Sequence, residues 1–275
     1  MSDPFIDLLG SYQQVATELG GAREPSWNAL PWLPQSWQQS VEFFTALCAE
    51  AESVFGAPAK SRLDSGIDWY ADAVTRHRSP RSPVVRSYDQ AEGWLTLSLG
   101  ALDAQAGALA ALLAGRGAAP GDCIALVLPS GTALAIGLLA TMRLGGCAVP
   151  VLPLGSTYVQ TLLAVSKPKW VISCSPYQAL RGLMAYKPIL LSAALLAGAG
   201  EPPPTATYAP AAPILLVASP LRSDGTLTPV TAADAYGAVL RDGLLILGLR
   251  PGETLLAPPT PSYLPMTLLA TLLCG

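Results

Sequence analysis

From Trp94 onward the chain alternates short apolar runs with segments of helical periodicity. "WLTLSLGALDAQAGALAALLAG" predicts a short strand and then a helix from about Gly100 to Gly115. "CIALVL", "CAVPVL", "KWVISC" and "PILL" have strand length and are almost wholly apolar. Between them lie "SGTALAIGLLATMRLGG", "TYVQTLLAVSK" and "PYQALRGLMAY", each read as a helix. Strands that are apolar at successive positions are buried on both faces, and parallel neighbours need a crossover between them. The pattern predicts an α/β fold: a mainly parallel sheet flanked by helices, with strands at 124–128, 148–152 and 170–173.

The first ninety-odd residues lack this alternation. Phe5, Leu8, Leu9, Tyr12 and Val15 fall at helical spacing, as do Ser40, Phe43 or Phe44, Leu47 and Ala51 further on. "RHRSPRSPVVRSYDQAEG" is polar, basic and broken by Pro80 and Pro83, and reads as a surface connection. "AGAGEPPPTATYAPAA" is proline-rich and reads as a linker or long surface loop. The expected division is a helical or irregular leader at 1–93, an α/β subdomain at 94–196, a linker at 197–212 and a second α/β subdomain beginning at 213–275. In that last part a helix is expected at "ADAYGAVLRDGLLILG" and a strand near "ETLLAP".

Composition narrows the classes. Charged residues are 13% of the chain and apolar ones 51%, against about 25% charged in ordinary soluble domains. Such a chain encloses a large core or leaves an apolar face for a protein partner or for self-association. A net charge of −3 argues against nucleic acid as a partner. The uncharged tracts 123–142 and 144–166 tempt a hydropathy window, but prolines and glycines interrupt both, so no transmembrane segment is expected. Asp3 and Asp7 stand where a secretion signal would be basic, and the five scattered cysteines form no C-x-x-C pair. A zinc site or a disulfide framework is therefore not expected, and a reducing cytoplasm is.

"LLVASPLRSDGTLTPVT" at 215–231 has the outline of a phosphate-gripping loop: an apolar strand, small and hydroxyl residues around a glycine, then the start of a helix. It contains no lysine. Read alone, "SDG" is an ordinary turn.

The surrounding order resembles the N-terminal part of the adenylate-forming acyl-CoA synthetase superfamily. The resemblance rests on Leu102-Asp103, Pro120-Gly121-Asp122, Pro129, Arg143-Leu144-Gly145 and Val149-Pro150-Val151, in the family's order and at similar spacing. It implies the fold of that family's N-terminal subdomain and ATP-dependent activation of a carboxylic acid to an acyl-adenylate. Transfer to coenzyme A or a carrier thiol usually follows. ATP or AMP with Mg2+ would be bound through a loop of the type [ST]-G-[ST]-T-G-x-P-K-G, laid here on 221–229. The residues so placed are Arg222, Ser223, Asp224, Gly225, Thr226 and Thr228.

Ser223 and Gly225 agree with that pattern. Asp224 stands where threonine is expected, Thr228 where the lysine is, and Pro229 where the last glycine is. These changes place an anion beside a polyanion, remove a cation and remove a backbone N–H. The loop is expected in the family's position but with a weak hold on ATP. The family's acyl pocket and mobile C-terminal domain are encoded beyond the equivalent of Gly275, so a truncated domain without independent ligase activity is expected. The alternatives are a non-catalytic interaction module on the same fold and an active enzyme with an atypical loop. No catalytic residue is assigned. His77 in "TRHRS" and the series Asp64, Asp68 and Asp72 read as solvated surface, and Ser130-Gly131 as a helix start.

Overall fold

The structure, a computed structural model, describes residues 37–56, 58–77, 83–89, 93–129, 131–218, 225–255 and 264–274. The helix expected around Phe5 to Val15 lies outside them. Helices α1 (Trp37–Phe55) and α2 (Ala59–Ser65) lead into a π-helical turn at Ala71–Thr75. Strands β1 (Pro83–Asp89) and β2 (Gly93–Ser98) form an antiparallel hairpin, with Tyr88 opposite Trp94. So the expected surface connection contains a strand: Pro83 begins it, where a missing N–H disturbs the ladder least.

Next come α3 (Leu99–Gly115), β3 (Cys123–Val127), α4 (Thr132–Arg143), β4 (Cys147–Pro150), α5 (Ser156–Ser166), β5 (Trp170–Ser173) and the two-residue β6 (Ile189–Leu190). After the short α6 (Ala193–Ala197) follow β7 (Pro213–Ala218), β8 (Leu227–Thr231), α7 (Ala232–Arg241) and α8 (Leu264–Cys274). The main sheet has the order β6-β5-β3-β4-β7-β8 and is parallel except for the β7–β8 pair. The mainly parallel sheet, and the three strands named for it, are present. The expected division at 197–212 falls between two strands of this one sheet.

Alternation along each strand sends side chains to opposite faces. Ile124, Leu126, Ala148, Ile172 and Ile189 pack in one cluster with α3, α4, α7 and α8. Ala125, Val127, Val149, Val151 and Val171 pack on the other face under Val159, Leu162 and Leu163 of α5.

One further expectation is corrected, and of the two alternatives for 197–212, a linker or a long surface loop, the loop is present. The stretch "PYQALRGLMAY" forms two 3-10 turns, Ser175–Tyr177 and Leu183–Tyr186, in place of one helix. Gly182 at φ +82° separates them, a conformation no continuing helix allows. The proline-rich 197–212 is a clamped strap rather than a free linker. Its Pro203 carbonyl accepts from Arg143 Nε at 2.7 Å, and its Thr205 hydroxyl donates to Asp68 at 2.5 Å. The buried Tyr208 hydroxyl donates to the Gly146 carbonyl at 2.7 Å, and Tyr208 and Ile67 exchange both backbone bonds at 2.9 Å. No strand forms at 253–255, and the rest of "ETLLAP" lies outside the described residues.

Candidate functional site

In an open α/β sheet, ligands sit beyond the carboxyl ends of the strands, where the strand order reverses. Here the chain passes from β3 to β4 on one side and then crosses to β5 on the other, so one reversal lies between β3 and β5. The connections leaving β3, β4 and β5 run through 128–131, 151–155 and 174–177, and none carries an ionisable side chain other than Cys174 and Tyr177. Helices α4 and α5 both begin there on glycine N-caps, Gly131 and Gly155, with no side-chain cap. Beside the start of α4 opens a cleft of about 430 Å³, lined in part by Gln105, Ala108, Thr132, Ile136, Ser192 and Leu196. It too is uncharged.

The phosphate-loop candidates lie at the turn that leaves β7. Arg222, Ser223 and Asp224 fall outside the described residues; Gly225, Thr226 and Thr228 are within them. The expected strand-to-helix connection is instead a strand–turn–strand. Thr228 pairs with Val217 and Pro229 with Leu216 before α7 begins at Ala232. Both Thr228 and Pro229 are exposed. Proline is tolerated because β8 is the edge of the sheet, where a missing N–H breaks no second ladder.

Gly225 is buried with φ +74°, and a methyl group there would stand 2.5 Å from Thr161 Cγ2 on α5. Gly225 is thus seated against α5, where a larger residue would not fit. Thr231 closes the unit by capping α7: its hydroxyl accepts from Asp234 N–H at 3.1 Å and lies 2.7 Å from the Asp234 carboxylate.

Charged groups are concentrated elsewhere, which corrects the reading of Asp68 and Asp72 as solvated surface. Helix α2 ends at Ser65, so Asp64 and Asp68 share no helix face. Asp72 is 1% exposed. It receives both Nε and Nη2 of Arg62 at 3.0 Å and the Tyr236 hydroxyl at 3.0 Å. Asp68 is buried too, accepting from Ala71 N–H at 2.8 Å as well as from Thr205. His77 is half-buried, with Nε2 on the Leu272 carbonyl at 2.5 Å, near the end of α8. Burial pushes its pKa down, the Leu272 carbonyl opposes this, and neighbouring Arg76 adds to the fall.

At the opposite, amino edge of the sheet, Asp122 accepts from Ala119 N–H, Lys169 and Trp170 Nε1 at 2.9, 3.0 and 3.2 Å. Burial raises that carboxyl, but the Lys169 ammonium and the two N–H donors outweigh it and hold it below the usual carboxylate range. These groups join distant segments, and none lies at the carboxyl edge.

Sequence reasoning missed one arrangement whose signal was present. Two successive strands each begin on a cysteine, and the register sets Cys123 directly opposite Cys147. Among the described residues no group of three or more His, Cys, Asp or Glu converges for a metal, and no helix is long and apolar enough to cross a membrane. Among the described carboxyl-edge residues there is no carboxylate to hold Mg2+.

The family model for AMP-binding enzymes matches residues 72–212, about half of the chain. The structure is similar to an acetoacetyl-CoA synthetase from Streptomyces lividans, with a TM-score of 0.73 and 19% identity over 98% of this chain and 48% of that one. It is similar to an acyl-CoA synthetase from Brucella canis, with a TM-score of 0.67 and 18% identity over 82% of this chain and 44% of that one. A nonribosomal peptide synthetase, FmoA3, in an AMPPNP-bound form matches with a TM-score of 0.63 and 19% identity, over 84% of this chain and 24% of that one. The chain therefore spans less than half the length of these structures, and at such identities the likeness establishes the fold. No curated protein matches the chain in sequence.

Proposed function

We propose a function from one premise: this chain belongs to the AMP-binding enzyme family. It is the N-terminal scaffold of an adenylate-forming domain, with a phosphate turn that holds ATP weakly, and it has no ligase activity on its own. The observation that carries this reading is the β7–β8 hairpin. On the sequence resemblance, residues 221–229 take the place of the family's phosphate loop, with Thr228 and Pro229 where its lysine and last glycine stand; both are exposed on the edge strand β8. A phosphate turn grips through backbone N–H groups and a cation; Thr228 supplies no charge and Pro229 no N–H. Each lost charge-assisted bond costs about 1.5–3 kcal/mol, and about 1.4 kcal/mol is tenfold in affinity. Two such losses move binding by a factor of at least a hundred.

Any activity of this site would take a carboxylic acid and ATP as reactants, with coenzyme A or a carrier thiol as acceptor, in the cytoplasm. Calorimetry of ATP with and without Mg2+, beside carboxylate-dependent pyrophosphate exchange, tests the reading. The expected result is binding no tighter than millimolar and no exchange. Micromolar binding or measurable exchange would establish instead an active enzyme with an atypical loop.

A second reading, a protein-interaction module, is favoured by exposed apolar side chains: Tyr88 at 66%, Trp94 at 64% and Leu154 at 67%. Exposed apolar surface seeks partners. Sedimentation of the chain across a concentration series should show self-association; a monomer at every concentration would count against this reading.

A further inference from the structure

Strands β3 and β4 both start on cysteine, and their parallel register makes Cys123 and Cys147 cross-strand partners. The amino ends of the two strands are pinned by backbone bonds: Gly121 N–H to the Gly145 carbonyl at 2.8 Å and Cys147 N–H to the Asp122 carbonyl at 2.9 Å. Residues two further along, Ala125 and Val149, face α5, so by alternation both thiols point to that same side. Cys123 Sγ lies 3.6 Å from the Ser166 carbonyl at the carboxyl end of α5. Cys147 is 5% exposed, whereas Cys123 is half-buried and gives solvent a way in. Both thiols are free.

Spacing decides what such a pair can hold. Neighbouring strands lie about 4.8 Å apart, and the side chains of parallel partners keep roughly that separation. A disulfide needs Cβ atoms only about 3.5–4.5 Å apart, so closing one would squeeze the centre of the sheet. A linear sulfur–metal–sulfur unit with bonds of about 2.3 Å spans about 4.6 Å, close to the spacing of the strands themselves.

We propose that Cys123 and Cys147 form a two-coordinate dithiolate site for a soft d10 cation, copper(I) being the one available to a cell. Binding replaces two S–H bonds with two Cu–S bonds and releases two protons to solvent, with no change of oxidation state. Thiolate pairs favour copper(I), whereas zinc demands four ligands.

The test is an anaerobic titration of the whole chain with copper(I) against the chelator bicinchoninate, in buffer without thiols. The expected result is one copper per chain by native mass spectrometry, competing with the chelator, and no comparable binding of zinc. Cys123→Ser and Cys147→Ala should each weaken binding at least about a hundredfold, more than the loss of an outer-shell partner does. Cys174→Ser should leave it unchanged. Failure of the native chain to compete, or retention of copper in either variant, would overturn the proposal. If a variant does not fold, X-ray absorption of the copper-loaded native chain decides. Two sulfur neighbours support the site, and three or more refute it.

Discussion

Replacing Asp72 should destabilise the fold more than any surface change, and the size of the effect follows from its three bonds. In Asp72→Ala the Tyr236 hydroxyl, fully buried, loses its acceptor. An orphaned buried donor costs about 1–3 kcal/mol. Arg62 also loses its partner, but its side chain is 27% exposed and water replaces part of the contact, so about 1 kcal/mol is expected there. Together with the small cavity, the sum is about 3–4 kcal/mol, in the range for breaking one side of a buried pair. For a chain of this size that lowers Tm by about 10 °C. Asp72→Asn keeps the shape and an acceptor for Tyr236, and should cost about half as much. The sharper measurement is a double-mutant cycle with Tyr236→Phe, read by urea denaturation. Removing the hydroxyl should cost about 1 kcal/mol in the native background and should recover the orphaned-donor penalty of at least about 1 kcal/mol once Asp72 is alanine, a coupling of about 2 kcal/mol or more. A coupling near zero, or an Asp72→Ala chain within about 0.5 kcal/mol of native, would refute the reasoning.

Asp122 gives the pH prediction. Its folded pKa is depressed, so its contribution is present above the unfolded carboxylate value and lost as pH falls through the folded one. Stability measured from about pH 5 downward should fall less steeply in Asp122→Asn than in the native chain; parallel curves would show that the carboxylate contributes nothing. Gly225→Ala should cost about 1–2 kcal/mol for its left-handed backbone alone, and more for the 2.5 Å approach to Thr161 Cγ2. Adding Thr161→Ser should recover only the second part, as urea midpoints would show. Thr228→Lys places a cation where the family has one, and calorimetry should show ATP affinity rising by at least about tenfold; no gain would mean that β8 faces away from the nucleotide.

The sheet was readable because its signal is local: runs such as "CIALVL" are apolar at every position, whatever lies elsewhere in the chain. The candidate site was placed by the family pattern alone, and the strand that its described part forms was not legible there. Pro229 and the "SDG" turn suggest a loop entering a helix, and only membership of an edge strand makes a proline strand possible. The same held for β1, whose Pro83 and Arg86 mask a strand. Asp68 and Asp72 were read as solvated because their partners are remote in sequence: Thr205 is 137 residues from Asp68, and Tyr236 is 164 from Asp72. Nothing in a window of a dozen residues announces a partner that far away. The cysteine pair needed only the strand register, which two matching runs supply once they are known to be parallel neighbours.

That remoteness has a cost during synthesis. A ribosome adds about 5–20 residues per second, and Tyr236 is made 164 residues after Asp72. The buried carboxylate therefore waits roughly 8–30 s for its hydroxyl partner. Through that interval the face of the sheet later covered by α7 and α8 is open to other apolar surfaces. The emerging chain is most exposed to misassembly between the completion of β6 and the arrival of α7, so a holdase that shields apolar surface would have its largest effect there.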